Sequence, residues 1–542
     1  MSSNRRSATG QRPPTLAGVV SGSAILFLTL SAVSPDRLLG QCPDGAPPPC
    51  RVPTARVPTA PAAYSVAVLS FNNLSRDTAD AYLADGLTEE ITARVAQIAR
   101  LTVTSRVVAR HFRDRPELPL ADLGRALNAT YLVSGSVRRG SARLRVTVEL
   151  VRASSGARLW GEQYDRATAD LLEIEEDIAR AVATGIAGRL LPAERATLAV
   201  RPTRNAEAYD HYLRGNRLMW GATAESRTVS AIAEYEAALR LDSAFTAARG
   251  RLAYAYGQAI NWAMRPVGLP AESVLARGSA AADRALREDS TVADAWLGRS
   301  FVLFFGGRPE DLGAALASCR RAIELNPADE AAHFWLGGLL RRLGRFDEAE
   351  QAYHRALAIN PERLGALVEL AILHYSRRHF AEARQWIDSG MAVDSSAATT
   401  HRVRARMRLV TGDLAGALAD AQASVRLAES SDRLRAAASL TEMEARNGQV
   451  ARARERLTGV LTDFGWPAGG PQVPVSVRNA YEPALAALAL GERQLALAIL
   501  EHARPRGPWL WSFLIWRDFD PLREDPRFIA ILEGSRPPET LR

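Results

Sequence analysis

Asp85, Glu89 and Glu90 crowd one short stretch of the chain, with Asp165 further on, and a pair of such carboxylates is the minimum equipment for general acid–base chemistry. No nucleophile stands near them with a base in reach. Asp85 precedes Gly86 at a turn-like break, and Glu89 and Glu90 fall at solvated positions of a helical pattern, so surface charge is expected there. Gly135 and Gly140 are separated as in a phosphate loop, but neither a lysine nor a helix follows. Lysine is missing from the whole chain, and all 68 basic residues are arginine. This removes the phosphate-binding lysine of a P-loop, the ion-paired lysine of a kinase and Schiff-base catalysis. Among 8 histidines only His374 and His379 come close, and their spacing puts them off a common helical face; HExxH and CxxC patterns are absent. Cys319 reads as a small core residue. No catalytic residue, cofactor or metal is expected. An unrecognised hydrolase, with residues meeting only in space, is the remaining catalytic alternative.

The 542 residues exceed one hydrophobic core, so several folded units are expected. The net charge is +8, and the first 60 residues carry half of it: six arginines against Asp36 and Asp44, 6 − 2 = +4. A nucleic-acid protein concentrates charge on a folded domain, so nucleic acid is not indicated.

The segment 16–34 is expected to be a transmembrane anchor or signal segment. Its core LAGVVSGSAILFLTLSAV is uncharged and follows Arg5, Arg6 and Arg12, and about 18 such residues just span a bilayer as a helix. Positive flanking charge keeps a cytoplasmic tail, 1–15, inside and the bulk of the chain in the periplasm. The alternative is cleavage and secretion to the periplasm. Residues 35–63 carry eight prolines and read as an extended linker. Cys42 and Cys50 lie in it, either paired in a small disulfide loop or as two free thiols.

From 64 to 200 an α+β domain is predicted. SVAVLSF reads as a buried strand, Asp77 to Ile98 has helical spacing, and LTVTSRVV (101–108) and LADLGRALNA (120–129) follow as strand and helix. YLVSGSVRR and LRVTVELVR flank Gly140-Ser141 as a hairpin, with Leu144, Val146, Val148 and Leu150 on one face; ARLWGEQYDR and a helix over 170–190 complete the unit. The stretches SVAVLSFNNLS, YLADGLTEEI, LVSGSVRR and ARLWGEQYDR resemble the TolB-N-terminal-like, or flagellar-protein-O-like, domain of bacterial multidomain proteins. The resemblance implies a domain outside the membrane, commonly behind a kinase, a winged-helix domain or a nucleotide cyclase. With about 15 residues before the apolar segment, no such effector is expected here.

Residues 205–506 repeat at a period near 34. The clearest copy, 330–363, has Leu336-Gly337 on one helix, Gly344 at a turn, Ala349, Tyr353 and Ala356 on a second helix and Pro361 at its end. Glycine and alanine let helices approach closely, tyrosine fills the space between repeats and proline stops the helix. The pattern is similar to tetratricopeptide (TPR) repeats, about eight units with several degenerate. The expected fold is thus an α+β N-terminal domain followed by an all-α, right-handed superhelical TPR solenoid. The resemblance implies a groove lined here by Arg299, Phe334, Arg341, Arg342, Tyr375, Arg402 and Arg406, whose guanidiniums suit an acidic or carboxylate-terminated peptide. The aromatic tail, 507–542, is expected to cap the array.

These expectations describe a membrane-tethered extracytoplasmic scaffold, not an enzyme, that binds a protein or peptide through its groove. The alternative is a ligand-sensing subunit of an envelope signalling system.

Overall fold

Alternation along Arg143–Arg152 decides the architecture of the first folded region: Leu144, Val146, Val148 and Leu150 are fully buried while Arg143, Arg145 and Thr147 between them are exposed. One sheet face must therefore be covered by helices. The computed structural model describes residues 64–541 except 105–108, 110–117, 220–224, 262–268, 307, 429–431, 464–479 and 504–507. The expected tail, apolar segment and linker (1–15, 16–34, 35–63), with Cys42 and Cys50, lie outside the described residues. Among those described, no helix is long and apolar enough to cross a membrane.

The strands are β1 Ser65–Val68, β2 Asn72–Asn73, β3 Thr102–Thr104, β4 Tyr131–Arg139, β5 Arg143–Arg152 and β6 Arg158–Ala167. β1 lies between β3 and β4, parallel to both; β4, β5 and β6 form an antiparallel meander, and β2 pairs with the far end of β4. The meander turns at Gly140, whose N–H donates to the carbonyl of Arg143 at 2.8 Å. Helices α1 Ala81–Ala96 and α3 Leu171–Ala187 cover the face that carries Val66, Val133 and Val146. Helix α2 Leu120–Ala126 sits on the opposite face, where Leu123 and Leu127 pack with Ala67, Leu132 and Val151. A short helix, α4 Pro192–Leu198, leads out of the domain.

Helical hairpins follow. They are α5 Ala206–Leu218 with α6 Glu225–Leu241, α7 Thr246–Asn261 with α8 Ala271–Glu288, α9 Ala293–Phe305 with α10 Leu312–Leu325, and α11 Glu330–Arg342 with α12 Phe346–Ile359. Four more are α13 Leu364–Ser376 with α14 Phe380–Val393, α15 Ala398–Val410 with α16 Leu414–Leu427, α17 Arg433–Arg446 with α18 Val450–Asp463, and α19 Tyr481–Ala489 with α20 Arg493–Ala503. The α+β domain and the repeat array thus stand in the expected order. Close approach within a hairpin needs the small residues: a Cβ on Gly337 would lie 2.6 Å from the Tyr353 ring. The core of the α+β domain runs on through Tyr209, Leu213 and Tyr235 into the first repeats without a break.

Past the last hairpin come α21 Pro508–Leu514, a 3₁₀ turn at Arg517–Leu522 and α22 Pro526–Ser535, capped by Asp525, which accepts from the Arg527 N–H at 2.9 Å. Trp509, Phe513, Trp516, Phe519 and Phe528 of this segment share one core with Tyr254 of α7 and most of the hairpins from α9 onward, while Ala405, Ala417, Ala421, Leu440 and Met443 form a small cluster of their own.

Candidate peptide-binding groove

The first helix of each later hairpin contributes to one inner face. Arg341 and Arg342 end α11, Tyr375 and Ser376 end α13, Arg402 and Arg406 lie on α15, Arg435 and Glu442 on α17, and Tyr481 and Glu482 open α19. The 34-residue spacing of the helix starts at Glu330, Leu364 and Ala398 keeps these positions in one register. The structure therefore brings together Arg341, Arg342, Tyr375, Arg402 and Arg406. Arg299 and Phe334 take partners elsewhere: Arg299 lies over the Trp296 ring at 5.9 Å, and Arg363 covers Phe334 at 4.8 Å.

These five side chains are buried, with Arg341 and Tyr375 at 0% exposure and Arg406 at 5%, so each guanidinium must be neutralised within the chain. For Arg341, Arg402 and Arg406 the partners are acidic residues of neighbouring inner helices, together with the C-terminal segment, whereas Arg342 donates to the Gly338 carbonyl of its own helix at 2.7 Å. Arg341 Nε donates to Glu369 Oε2 at 2.8 Å, and Arg406 donates to Glu442 at 2.6 Å and to Asp518 at 3.0 Å. Glu482 is paired with both Arg402 and Arg435. Tyr375 Oη donates to Asp518 at 2.6 Å, and Trp516 Nε1 donates to Ser376 at 2.9 Å. Aromatic rings fill the spaces between: Phe513 stacks on Tyr481 at 4.1 Å, Arg342 lies over Trp509 at 5.5 Å and Arg406 over Trp516 at 5.5 Å. A small cavity beside Trp516, lined by Tyr375, Arg402, Arg406 and Tyr481, has room for about one water.

Charge and burial oppose each other throughout. Burial alone would lower Arg406, but Glu442 and Asp518 outweigh it and hold its pKa well above the usual arginine value. Burial would raise Glu482 and Glu369, yet the flanking arginines pull both carboxyls down. For Arg342 the balance falls the other way: burial, with Arg341 beside it, lowers its pKa to about 10 despite the pull of Glu369.

The repeat register could have named Glu442, 36 residues past Arg406 on the next inner helix. It could not have named Trp516 or Asp518, which lie in a different element more than 100 residues away.

Asp85, Glu89 and Asp165 are committed to ion pairs, and Asp85 with Gly86 lies buried inside α1, not at a break; Glu90 is half-buried on the same helix, where burial pushes its pKa up to about 7 against the pull of Arg94. Asp85 pairs with Arg217 and Glu89 with Arg251, tying α1 to the first two hairpins, while Arg143 and Arg145 hold Asp165 across the strand ladder and below the usual carboxylate range. Burial pushes the Cys319 thiol up, and its Sγ faces the Ala332 carbonyl at 3.6 Å. Among the described residues no three His, Cys, Asp or Glu side chains are placed to hold a metal.

Two family models described as Tetratricopeptide repeat match this chain, one over residues 308–363 and one over 340–406. The hairpins within residues 308–406 match tetratricopeptide repeats. Putative adenylate cyclase 3 of Rhizobium meliloti is 28% identical over 292 residues, 54% of this chain and 43% of that protein. The peroxisomal targeting signal receptor of Kluyveromyces lactis is 36% identical over 92 residues, 17% of this chain and 16% of that protein. This chain thus spans less than half the length of either relative. Among solved structures, a tetratricopeptide repeat protein from Parabacteroides merdae aligns with 16% identity and a TM-score of 0.34, over 52% of this chain and 98% of that one.

Proposed function

We propose that this protein is a non-enzymatic, membrane-tethered scaffold: segment 16–34 anchors it in the inner membrane, and a TolB-N-like domain and the TPR groove stand in the periplasm to hold a protein or peptide partner. TPR proteins mediate protein–protein interaction, and the observation that carries the reading is the row of inner-face arginines and tyrosines, Arg341 to Arg435, contributed by successive repeats. Burial of an aromatic and acidic segment against that row is the kind of recognition a partner peptide needs. The arginines favour an acidic one.

The test is crosslinking in native membranes of the source cell, followed by mass spectrometry and by alkaline extraction of the membranes. A reproducible partner and retention in the extracted membrane are expected. No recurring partner across replicates would reject the scaffold, and release into the supernatant would reject the anchor in favour of cleavage and secretion.

A second reading is favoured by the match to a protein named as a putative adenylate cyclase over 54% of this chain. The matched portion would then be the sensing part of an envelope signalling system, with the TPR array relaying ligand occupancy to a separate effector. Under that reading the crosslinked partner is a membrane-bound signalling enzyme.

A further inference from the structure

Resting on the groove reading, we propose that residues 508–520 are an intramolecular stand-in for the partner, and that the partner is a peptide with an aromatic side chain two residues ahead of a carboxylate. The stand-in is held by the side chains that the repeat register assigns to the groove. Trp516 donates to Ser376 at 2.9 Å, while Asp518 accepts from Tyr375 at 2.6 Å and from Arg406 at 3.0 Å.

A second observation is in the repeat itself. At the turn between the two helices of a hairpin, Gly344, Gly412, Gly448 and Gly491 take positive φ near 80°, as glycine does without cost. The fifth hairpin puts Arg378 at that position with φ 65°, a left-handed backbone that residues with a Cβ avoid. Its guanidinium grips both oxygens of Asp520 at 2.8 and 3.0 Å. Only this turn gives up glycine among the four that follow Gly344, and its side chain reaches the segment, whose Trp511 ring also packs beside the Gly344 turn.

The fit is incomplete, which makes the occupant replaceable. Arg341 is fully buried and held by Glu369 through Nε, with Tyr353 beside it, yet among the described residues its terminal nitrogens meet no second carboxylate, and the guanidinium faces the Phe513 ring at 5.5 Å. Unpaired buried donors are costly, so a partner that brings a second carboxylate to this place binds the groove better than the chain's own segment. It must do so, because a tethered occupant acts at an effective concentration on the order of millimolar.

The test titrates a labelled peptide of residues 508–523 against the full-length chain and against its Trp516→Ala/Asp518→Asn double variant, read by fluorescence anisotropy. The double variant is expected to bind the peptide at least tenfold more tightly than the wild type, and a peptide carrying Asp518→Asn to bind it at least tenfold more weakly. Equal affinity for wild type and folded variant, or no binding to either, overturns the proposal. Should the variant not fold, hydrogen exchange of the wild type decides: millimolar peptide must speed exchange of the amides of 508–519, and unchanged rates overturn it. Partners that crosslink while the peptide fails to compete leave the scaffold standing and remove the stand-in; a competing peptide without any cellular partner does the reverse.

Discussion

Arg406 shows how much rests on single residues of the inner face. Its side chain is 6% exposed and neutralises Glu442 and Asp518 together. Arg406→Ala leaves Asp518 buried without a cation and Glu442 with Arg446 alone, and is expected to cost about 3–5 kcal/mol of unfolding free energy, as removal of one member of a buried pair does. Trp516→Ala is expected to cost a similar ~3–5 kcal/mol, through loss of a buried ring that touches Tyr375 and Tyr481. Urea titration checks both, and a loss under about 1 kcal/mol for either would place that residue on a solvated surface. A third residue carries a pH effect of fixed sign. Glu175 is fully buried, and desolvation, with Glu90 nearby, raises its pKa well above the usual carboxylate value. A raised folded pKa means the folded state holds the proton more tightly, so the stability it contributes is complete below the unfolded value of about 4.3 and is lost as pH rises towards the folded one. Glu175→Gln, which keeps an acceptor for the 2.8 Å hydrogen bond from Tyr209, should therefore abolish that loss. Unfolding free energy measured from pH 4 to pH 8 in both proteins shows it; parallel curves would exclude Glu175 as the titrating group.

At the scale of the element, much was legible because the pattern is local. The alternation of Leu144, Val146, Val148 and Leu150 predicted one buried strand face, and the period near 34 predicted the small and aromatic positions of the hairpins, since both follow from geometry repeated every 2 or 3.6 residues. Gly337 is a case in which spacing and steric reason coincide. Gly337→Ala pushes a methyl group into the Tyr353 ring and should cost about 1–3 kcal/mol by overpacking, whereas Gly412→Ala, with open space around its Cβ, is strained only through its φ of 80°. Chemical denaturation of the two variants separates the mechanisms: restoring space with Tyr353→Leu should recover part of the first loss and none of the second. What stayed illegible is equally physical. The guanidiniums of the inner face read as solvated groove positions because the repeat pattern places a residue on a face without saying what covers that face. Tyr375 and Asp518 meet across 143 residues, a separation that no periodicity records.

For the described part of the molecule as a whole, burial falls into two large cores. One runs from the sheet through Tyr209, Tyr235 and Tyr256, and the other from Tyr254, on the same helix as Tyr256, to Ile531. A plain solenoid contacts only its neighbours and frays from its ends. Here the C-terminal segment breaks that rule, because Trp509, Phe513 and Trp516 touch side chains of α11, α13, α15 and α19 at once. Such long-range contact couples non-adjacent hairpins, so the later repeats should unfold as one cooperative block, separately from the sheet and the first repeats. Tryptophan emission follows chiefly the second core, which holds Trp335, Trp509 and Trp516, whereas far-ultraviolet circular dichroism follows both. In urea the two signals are expected to give different midpoints. Phe513→Ala should move the fluorescence midpoint and leave the remaining dichroism transition in place. Coincident midpoints in the wild type, or a variant that shifts both transitions equally, would mean that the first two hairpins transmit the loss and that the molecule is a single cooperative unit.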